Sequence, residues 1–251
     1  MYRPLLDNES HQHSLTILRE LAEYTEFMES ISTVLDVGSD VGYDLNWWAT
    51  KTTNIEDIPL NIKCTGIDIK QRFDNKFKRH NIETVEDNFE DSKLKKSQFD
   101  VIYAHNVLQY AVNPLQTLSH WWDLARDNAM LVIAVPESTM IERNAIVADQ
   151  FSHDYHHWTT VSLIHHLAVN GWDCKEGMFK KERNSPWIYA VVYKQPKFKK
   201  LDYRTTTWFD LAEKELLPQS AVESINANGF LRQQDLQLMW LTKRVFDFRN
   251  Y

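Results

Sequence analysis

The feature that most limits the fold of this chain is a regular alternation of short β-rich runs with helix-forming segments. Several of these runs are continuously apolar, as expected for strands that are covered on both faces of a parallel sheet. The alternation predicts a doubly wound α/β sheet, which binds ligands at the carboxyl ends of its strands. The runs are residues 33–37, 64–69, 82–86, 99–104 and 130–135.

After Pro136 the pattern changes to one that is typical of an antiparallel end of a sheet. A helix is predicted over residues 161–170, where Gly171 stops it. Two further strands are predicted over residues 173–181 and 187–193. The complete prediction is therefore a seven-stranded, mostly parallel sheet whose last strand is antiparallel.

Helices are also predicted at four other places before the end of the sheet, one of them over residues 44–51 after the first strand. Apolar residues at helical spacing predict an N-terminal helix over residues 14–29, with Ser14 as its cap. A basic helix is predicted over roughly residues 74–80, and a helix that contains two tryptophans is predicted over 115–126.

The end of the chain is predicted to be a helical appendage. We divide the chain into a domain of residues 1–196 and a helical C-terminal extension of residues 197–251. The last predicted helix has an apolar stripe that must be buried somewhere, so these helices are a candidate surface for a partner protein or a second copy of the chain. The stripe consists of Leu238, Leu241, Val245 and Phe248.

Composition excludes several classes of protein. The net charge of −7 gives no general electrostatic attraction for duplex nucleic acid or an anionic membrane. Two cysteines are too few for a disulfide framework or a four-cysteine zinc site. No apolar stretch is long enough to span a bilayer, and the polar N-terminus has no signal core. We therefore expect a cytoplasmic protein with no nucleic-acid or membrane partner.

The most informative segment is the turn after the first predicted strand. Gly38 and Gly42 allow the backbone to approach a ligand there, and the following helix offers free N–H groups. A Walker loop needs Gly-Lys-Ser/Thr, which the turn lacks. A GxGxxG fingerprint needs glycines at positions 38, 40 and 43, and only Gly38 is present. An acidic residue followed by GxGxG fits better, with Asp36 as the acidic residue and Asp40 in place of the middle glycine.

With this turn, the order of motifs along residues 14–193 resembles that of the class I S-adenosylmethionine-dependent methyltransferases, especially the small-molecule enzymes. Asp68 ends the second predicted strand, and Asp87 follows the third. The pair Asn113-Pro114 follows the fourth strand, as is usual in the family. Each motif is weak alone, but their order and spacing together indicate the family.

The resemblance implies S-adenosylmethionine as the cofactor and a role for several residues. Asp68 would bind the ribose hydroxyls, since a carboxylate accepts from both at once, and Asp87 would bind the adenine amino group. Asp40 is a departure: its β-carbon would crowd the methionine part of the cofactor, and its carboxylate would repel the cofactor's carboxylate or pair with its ammonium or sulfonium. The implied cofactor-binding residues are Asp36, Gly38, Asp40, Gly42, Asp68, Ile69, Asp87, Asn88 and His105.

The candidate catalytic residues are histidines. Methyl transfer requires an aligned acceptor and the exclusion of water, and an oxygen or nitrogen acceptor also needs a base. Neutral histidine suits that role. The resemblance places His153, His156 and His157 near the substrate mouth and His105 beside the cofactor. The first three are alternatively surface or capping residues, or His153, Asp154 and His157 form a metal site, although we expect no metal.

Two functions from different classes remain open. The first is methyl transfer to an O or N acceptor of a small molecule. The second is a non-catalytic methyltransferase-like module that acts in protein assembly through the aromatic C-terminal extension, an alternative that Asp40 favours. A nucleic-acid amino-methyltransferase would need an Asn-Pro-Pro-aromatic signature, but Leu115 follows Asn113-Pro114.

Overall fold

The computed structural model describes residues 7–23, 25–52, 58–138, 156–181, 187–241 and 245–247. Within this part of the chain the strands are β1 (Thr33–Val37), β2 (Lys63–Asp68), β3 (Ile82–Glu86), β4 (Phe99–His105), β5 (Ala125–Pro136), β6 (Trp172–Lys181), β7 (Trp187–Lys194), β8 (Gln237–Met239) and β9 (Val245–Asp247). The α-helices are α1 (Asp7–Ala22), α2 (Thr25–Ser30), α3 (Tyr43–Ala49), α4 (Pro114–Leu124), α5 (Thr160–Val169), α6 (Trp208–Glu213) and α7 (Gln219–Asn228). Short 3-10 helices cover Asn75–Phe77, Leu108–Tyr110 and Gln233–Asp235.

The strands form one mixed sheet in the order β3-β2-β1-β4-β5-β7-β6-β8-β9. The strands from β3 to β5 are parallel, and β7 is antiparallel to both β5 and β6. The predicted α/β class and the antiparallel seventh strand are therefore confirmed, while the described residues form nine strands instead of the predicted seven because β8 and β9 pair beyond β6. The strand order reverses between β1 and β4, and a crevice at the carboxyl ends of these strands is where such sheets bind ligands.

Both faces of the sheet are buried, as the apolar runs predicted. In β1, Val34 belongs to the core that α1 and α3 cover, while Leu35 belongs to the opposite core under α4 and α5. Trp48 of α3 and Trp121 of α4 are fully buried, one on each side. Replacing such a side chain with alanine typically costs about 3–5 kcal/mol, so these tryptophans anchor the helices to the sheet.

The prediction of a final C-terminal helix is wrong for the residues that the structure describes. Residues 208–213 and 219–228 are helical, but β8 and β9 form a hairpin that extends the sheet beyond β6. Leu238 is buried between two exposed neighbours, a period of two that belongs to a strand. Phe248 lies outside the described residues. The other three apolar residues do not share one helix, because Leu238 lies in β8, Leu241 follows that strand and Val245 begins β9.

The predicted N-terminal helix also has different bounds. The chain forms α1 and α2 with a break between them, and Ser14 lies inside α1 instead of capping it. The buried Ser14 hydroxyl donates to Oδ1 of Asp44 at 2.7 Å, which ties α1 to the start of α3. The predicted basic helix is reduced to the 3-10 turn Asn75–Phe77, which Asp74 begins by accepting the Lys76 N–H. No helix in the described ranges is long and apolar enough to cross a bilayer.

Candidate active site

The turn between β1 and α3, residues 38–42, is the centre of the candidate site, and we call it the glycine loop. Gly38 and Gly42 have φ angles of +70° and +95°, which favour glycine. A β-carbon at Gly38 would overlap Val107, and one at Gly42 would lie 2.5 Å from the Phe73 ring. The Gly38 N–H donates to the Ile67 carbonyl at 2.8 Å. Glycine is therefore required at both ends of the loop, by backbone angle and by space.

Asp40, which replaces the middle glycine, keeps the backbone angle that the position needs. Its φ is +42°, a left-handed conformation that aspartate tolerates better than most residues. Its N–H donates to Oδ2 of Asp68 at 3.0 Å. Its carboxylate is 45% exposed and lies 3.7 Å from the Arg72 guanidinium. The missing glycine has therefore not disrupted the loop.

Asp36 lies in β1, just before the glycine loop. Its side chain is 2% exposed, and its carboxylate accepts the N–H of Leu45 in the first turn of α3. Burial raises the pKa of Asp36 well above its ordinary value, and the neighbouring carboxylates of Asp44 and Asp68 raise it further. The second carboxylate oxygen of Asp36 has no hydrogen-bond partner among the described residues. Asp36 thus holds the start of α3 by a hydrogen bond, and its burial keeps its carboxylate away from solvent.

Asp68 and Ile69 lie at the carboxyl end of β2, beside the glycine loop. The two oxygens of Asp68 accept the N–H groups of Asp40 and Lys70, the latter at 3.2 Å. Each carboxylate oxygen has two lone pairs, so both keep acceptor capacity for a ligand. The Ile69 side chain is 69% exposed, an unusual position for an isoleucine and one that suits contact with a flat apolar ring.

Asp87 and Asn88 follow β3, so they lie beside Asp68 at the same edge of the sheet. The Asp87 N–H donates to the Asp68 carbonyl at 3.1 Å, which joins the two strand ends. The Asp87 carboxylate accepts the N–H of Lys93 at 3.0 Å and of Asn88 at 2.9 Å, and these hydrogen bonds lower its pKa. The structure therefore brings the glycine loop, Asp68 and Asp87 together at one edge of the sheet.

His105 ends β4 on the other side of the glycine loop. The chain continues from His105 to Val107, whose side chain fills the space beside Gly38. The His105 ring is nearly buried, with its centroid 5.2 Å from that of Trp187 at the start of β7. Asn106, which follows His105 in the chain, has a φ of +60° and donates its N–H to the Ala134 carbonyl. His105 thus lies between the glycine loop and the later strands.

The three predicted histidines of the substrate mouth differ in position. His156 donates its N–H to the Gln109 carbonyl at 3.2 Å, and its ring lies 6.2 Å from that of Trp158. Its Nε2 is buried and has no hydrogen-bond partner in the described part of the chain. His157 is exposed, and His153 lies outside the described residues.

The predicted alternative of a metal site involves two residues, His153 and Asp154, that lie outside the described ranges. The described residues contain no group of three or more His, Cys, Asp or Glu side chains that would hold a metal ion. The expectation of no metal stays a prediction.

A buried ion pair at the same edge of the sheet was not predicted from the sequence. Oε1 of Glu137, directly after β5, lies 2.8 Å from Nζ of Lys181, the last residue of β6. The two side chains are 1% and 9% exposed. The Ser138 N–H donates to the Trp158 carbonyl at 2.8 Å, which connects the pair to the His156 segment. The partners are 44 positions apart, and the only local signal is a charged residue at the end of each apolar strand.

The comparisons with known proteins agree with this geometry. Residues 35–131 match the family model described as a methyltransferase domain. No curated protein matches the sequence significantly. This match supports the resemblance to the class I S-adenosylmethionine-dependent methyltransferases that the motifs indicated.

Solved structures with similar folds include three that cover most of this chain. The Haloferax volcanii putative methyltransferase, solved in complex with the Trm112 methyltransferase activator, is 13% identical with a TM-score of 0.54, over 78% of this chain and 100% of that one. The N-methyltransferase NodS of Bradyrhizobium japonicum is 15% identical with a TM-score of 0.54, over 76% and 99%. A Burkholderia thailandensis 1,6-didemethyltoxoflavin-N1-methyltransferase, with its substrate and S-adenosylhomocysteine bound, is 12% identical with a TM-score of 0.50, over 78% and 93%. At these identities the likeness concerns the fold.

Proposed function

We propose that this protein is an S-adenosylmethionine-dependent methyltransferase that transfers a methyl group to an O or N acceptor of a small molecule. The observation that supports this most strongly is the contact of the glycine loop with Asp68, at the point where the strand order of the sheet reverses. Two of the similar structures have N-methyltransferase names, and one of these holds a small heteroaromatic substrate.

The residues present fit the cofactor by shape and by donor set. Gly38 and Gly42 give the loop its left-handed backbone and its close packing against Val107 and Phe73, which hold the loop beside Asp68. Asp68 would accept from the ribose hydroxyls with its remaining lone pairs, while Ile69, Asp87 and Asn88 would hold the adenine. Bound S-adenosylmethionine supplies a methyl group that its sulfonium has already activated.

The acceptor would lie near the ends of β4 and β5 and the start of β7. His105 and His156 would position the acceptor or take its proton, and the rings of Trp158 and Trp187 would exclude water. In this proposal the chain's own contribution is alignment, a proton acceptor and a dry environment. His153 and His157 remain proposed as further bases or positioning groups on the same segment.

The cofactor assignment is tested by calorimetry with Asp68→Asn. This variant keeps the shape of the side chain and removes its charge, so we expect an at least tenfold loss of S-adenosylmethionine affinity, about 1.4 kcal/mol or more. Glu83→Gln is the matched control, because Glu83 is an exposed carboxylate on the adjacent strand β3. Equal affinity of Asp68→Asn and the control would remove the ribose assignment.

The non-catalytic alternative has its support in the C-terminal extension, residues 197–251. Tyr203, Phe209 and Phe230 are among its large apolar side chains that stay about half exposed. One similar structure was solved with a protein activator, so we propose a protein partner for this surface. If the wild-type protein bound no S-adenosylmethionine, this alternative would become the better one.

Cys64 and Cys174 are buried free thiols, which supports a proposed cytoplasmic location.

A further inference from the structure

Carboxylates lie on several sides of the glycine loop. Asp44 follows it in the first turn of α3, and Asp68 hydrogen-bonds to its backbone. Asp40 adds a carboxylate within the loop itself, where only the glycine-sized backbone is needed. The Arg72 guanidinium, 3.7 Å away, partly balances that carboxylate.

Arg72 is held beside Asp40 by the segment that follows β2, residues 69–74, which we call the β2 loop. The Phe73 ring fills the space over Gly42. The Asp74 N–H donates to the Val41 carbonyl at 3.0 Å. The Lys70 N–H donates to the Asp68 carboxylate, which also accepts the Asp40 N–H, so the start of the β2 loop is connected to the glycine loop through Asp68. The position of Arg72 is therefore set by backbone and ring contacts on either side of it.

The two forms of the cofactor differ in charge at a site like this one. S-adenosylmethionine has a carboxylate, an ammonium and a sulfonium, and its net charge is +1. S-adenosylhomocysteine has lost the sulfonium charge with the methyl group and is neutral overall. A nearby carboxylate therefore favours the methyl donor over the product, and a nearby guanidinium does the reverse.

We infer that the Asp40–Arg72 pair sets the preference of this site for the cationic methyl donor over its neutral product. The inference rests on the proposed function. Asp40 raises the preference, and Arg72 lowers it by partial neutralisation. The pair is a specificity determinant, because it acts on the ratio of the two affinities and so on how readily the product leaves.

Calorimetry of both ligands with four proteins tests the inference. The measured quantity is the ratio of Kd for S-adenosylhomocysteine to Kd for S-adenosylmethionine, in which shared contacts cancel. For a partly exposed pair we expect Asp40→Asn to lower this ratio about threefold and Arg72→Gln to raise it about threefold. The double variant returns to the wild-type ratio. Raising the salt to about 0.5 M diminishes both changes.

The controls use the same kinds of substitution elsewhere. Arg126→Gln removes the cation of a comparable surface pair with Asp100, and Glu83→Gln removes an exposed carboxylate. Both should leave the ratio unchanged. Unchanged ratios in Asp40→Asn and Arg72→Gln, or shifts in the same direction, overturn the inference while the proposed function stands. Absence of binding by the wild-type protein overturns both.

Discussion

The two halves of the candidate site are built in different ways. The cofactor half, at the ends of β1 to β3, is held by backbone hydrogen bonds between adjacent loops, such as Gly38 to Ile67 and Asp87 to Asp68. The acceptor half, at the ends of β4, β5 and β6 and the start of β7, depends on side chains from distant parts of the chain. The Glu137–Lys181 ion pair is one example, and the tilted contact between the His105 and Trp187 rings is another.

This difference has a physical consequence for variation. Backbone contacts between parallel strand ends are nearly independent of side-chain identity, so the cofactor half tolerates an Asp at position 40 while requiring glycine at 38 and 42. Side-chain contacts in the acceptor half change with each substitution, which suits a region that selects the acceptor. Four predictions test this difference between the two halves of the site.

The largest effect is expected in the acceptor half. Lys181→Met removes the buried cation that lies beside the Glu137 carboxylate, so we expect the free energy of unfolding to fall by about 3 kcal/mol. Denaturant unfolding measures it. Adding Glu137→Leu should recover most of the loss, and Lys96→Met, which breaks an exposed pair, should cost about 0.5 kcal/mol or less. Equal costs for Lys181→Met and Lys96→Met would show that burial of the pair is unimportant.

A second prediction concerns the glycine loop and distinguishes the cost of steric overlap from the cost of a left-handed φ angle. Gly38→Ala imposes both a left-handed backbone and an overlap with Val107, so we expect a loss of about 2 kcal/mol of unfolding free energy and weaker cofactor binding. Gly229→Ala has nearly the same φ but no neighbour within 4 Å of the added carbon, and should cost about 1 kcal/mol. The same cost at both positions would contradict the close packing of the glycine loop.

The third prediction uses the raised pKa of Asp36. Because the folded protein favours the neutral acid, the stability that Asp36 contributes is present below its unfolded pKa of about 4 and is lost as the pH rises through the folded pKa. Asp36→Asn should therefore raise the unfolding free energy at pH 7 by about 1 kcal/mol, and the gain should vanish near pH 4. Chemical unfolding between pH 4 and 8 measures this, and a pH-independent difference would exclude it.

The smallest effect is the opposite pH response of the acceptor half. Burial lowers the pKa of His166, whose ring lies 5.0 Å from that of Trp158. The corresponding stability is present above the unfolded pKa of about 6.5 and is lost as the pH falls through the folded pKa. His166→Gln should reduce the acid loss of unfolding free energy by about 0.5 kcal/mol. An acid profile identical to the wild type would contradict this.

The sequence predicted the cofactor half better than the acceptor half for the same physical reason. Asp68 and Asp87 directly follow apolar runs, and parallel strands bring such positions to one edge. Glu137 and Lys181 become neighbours only when β5, β7 and β6 assemble, which no local pattern shows. The roles proposed for His153, His156 and His157 depend on the same kind of long-range contact.

The strands β8 and β9 show the same limit in the fold. Each has three residues, and the spacing of Leu238, Leu241 and Val245 also fits a helix. Pairing with the edge strand β6 decides the outcome, because it satisfies the backbone and buries Leu238. By contrast, β4 and β5 were predictable because each contains a long continuous apolar run with no helical alternative.

Binding of the cofactor at the ends of β1 to β3 can be seen in a crystal structure of the protein with S-adenosylhomocysteine. We expect the amino-acid part of the ligand against the glycine loop, its ribose hydroxyls on the Asp68 carboxylate and its adenine near Ile69 and Asp87. A ligand bound at another part of the sheet, with Asp68 contacting only the neighbouring loops, would exclude the proposed site.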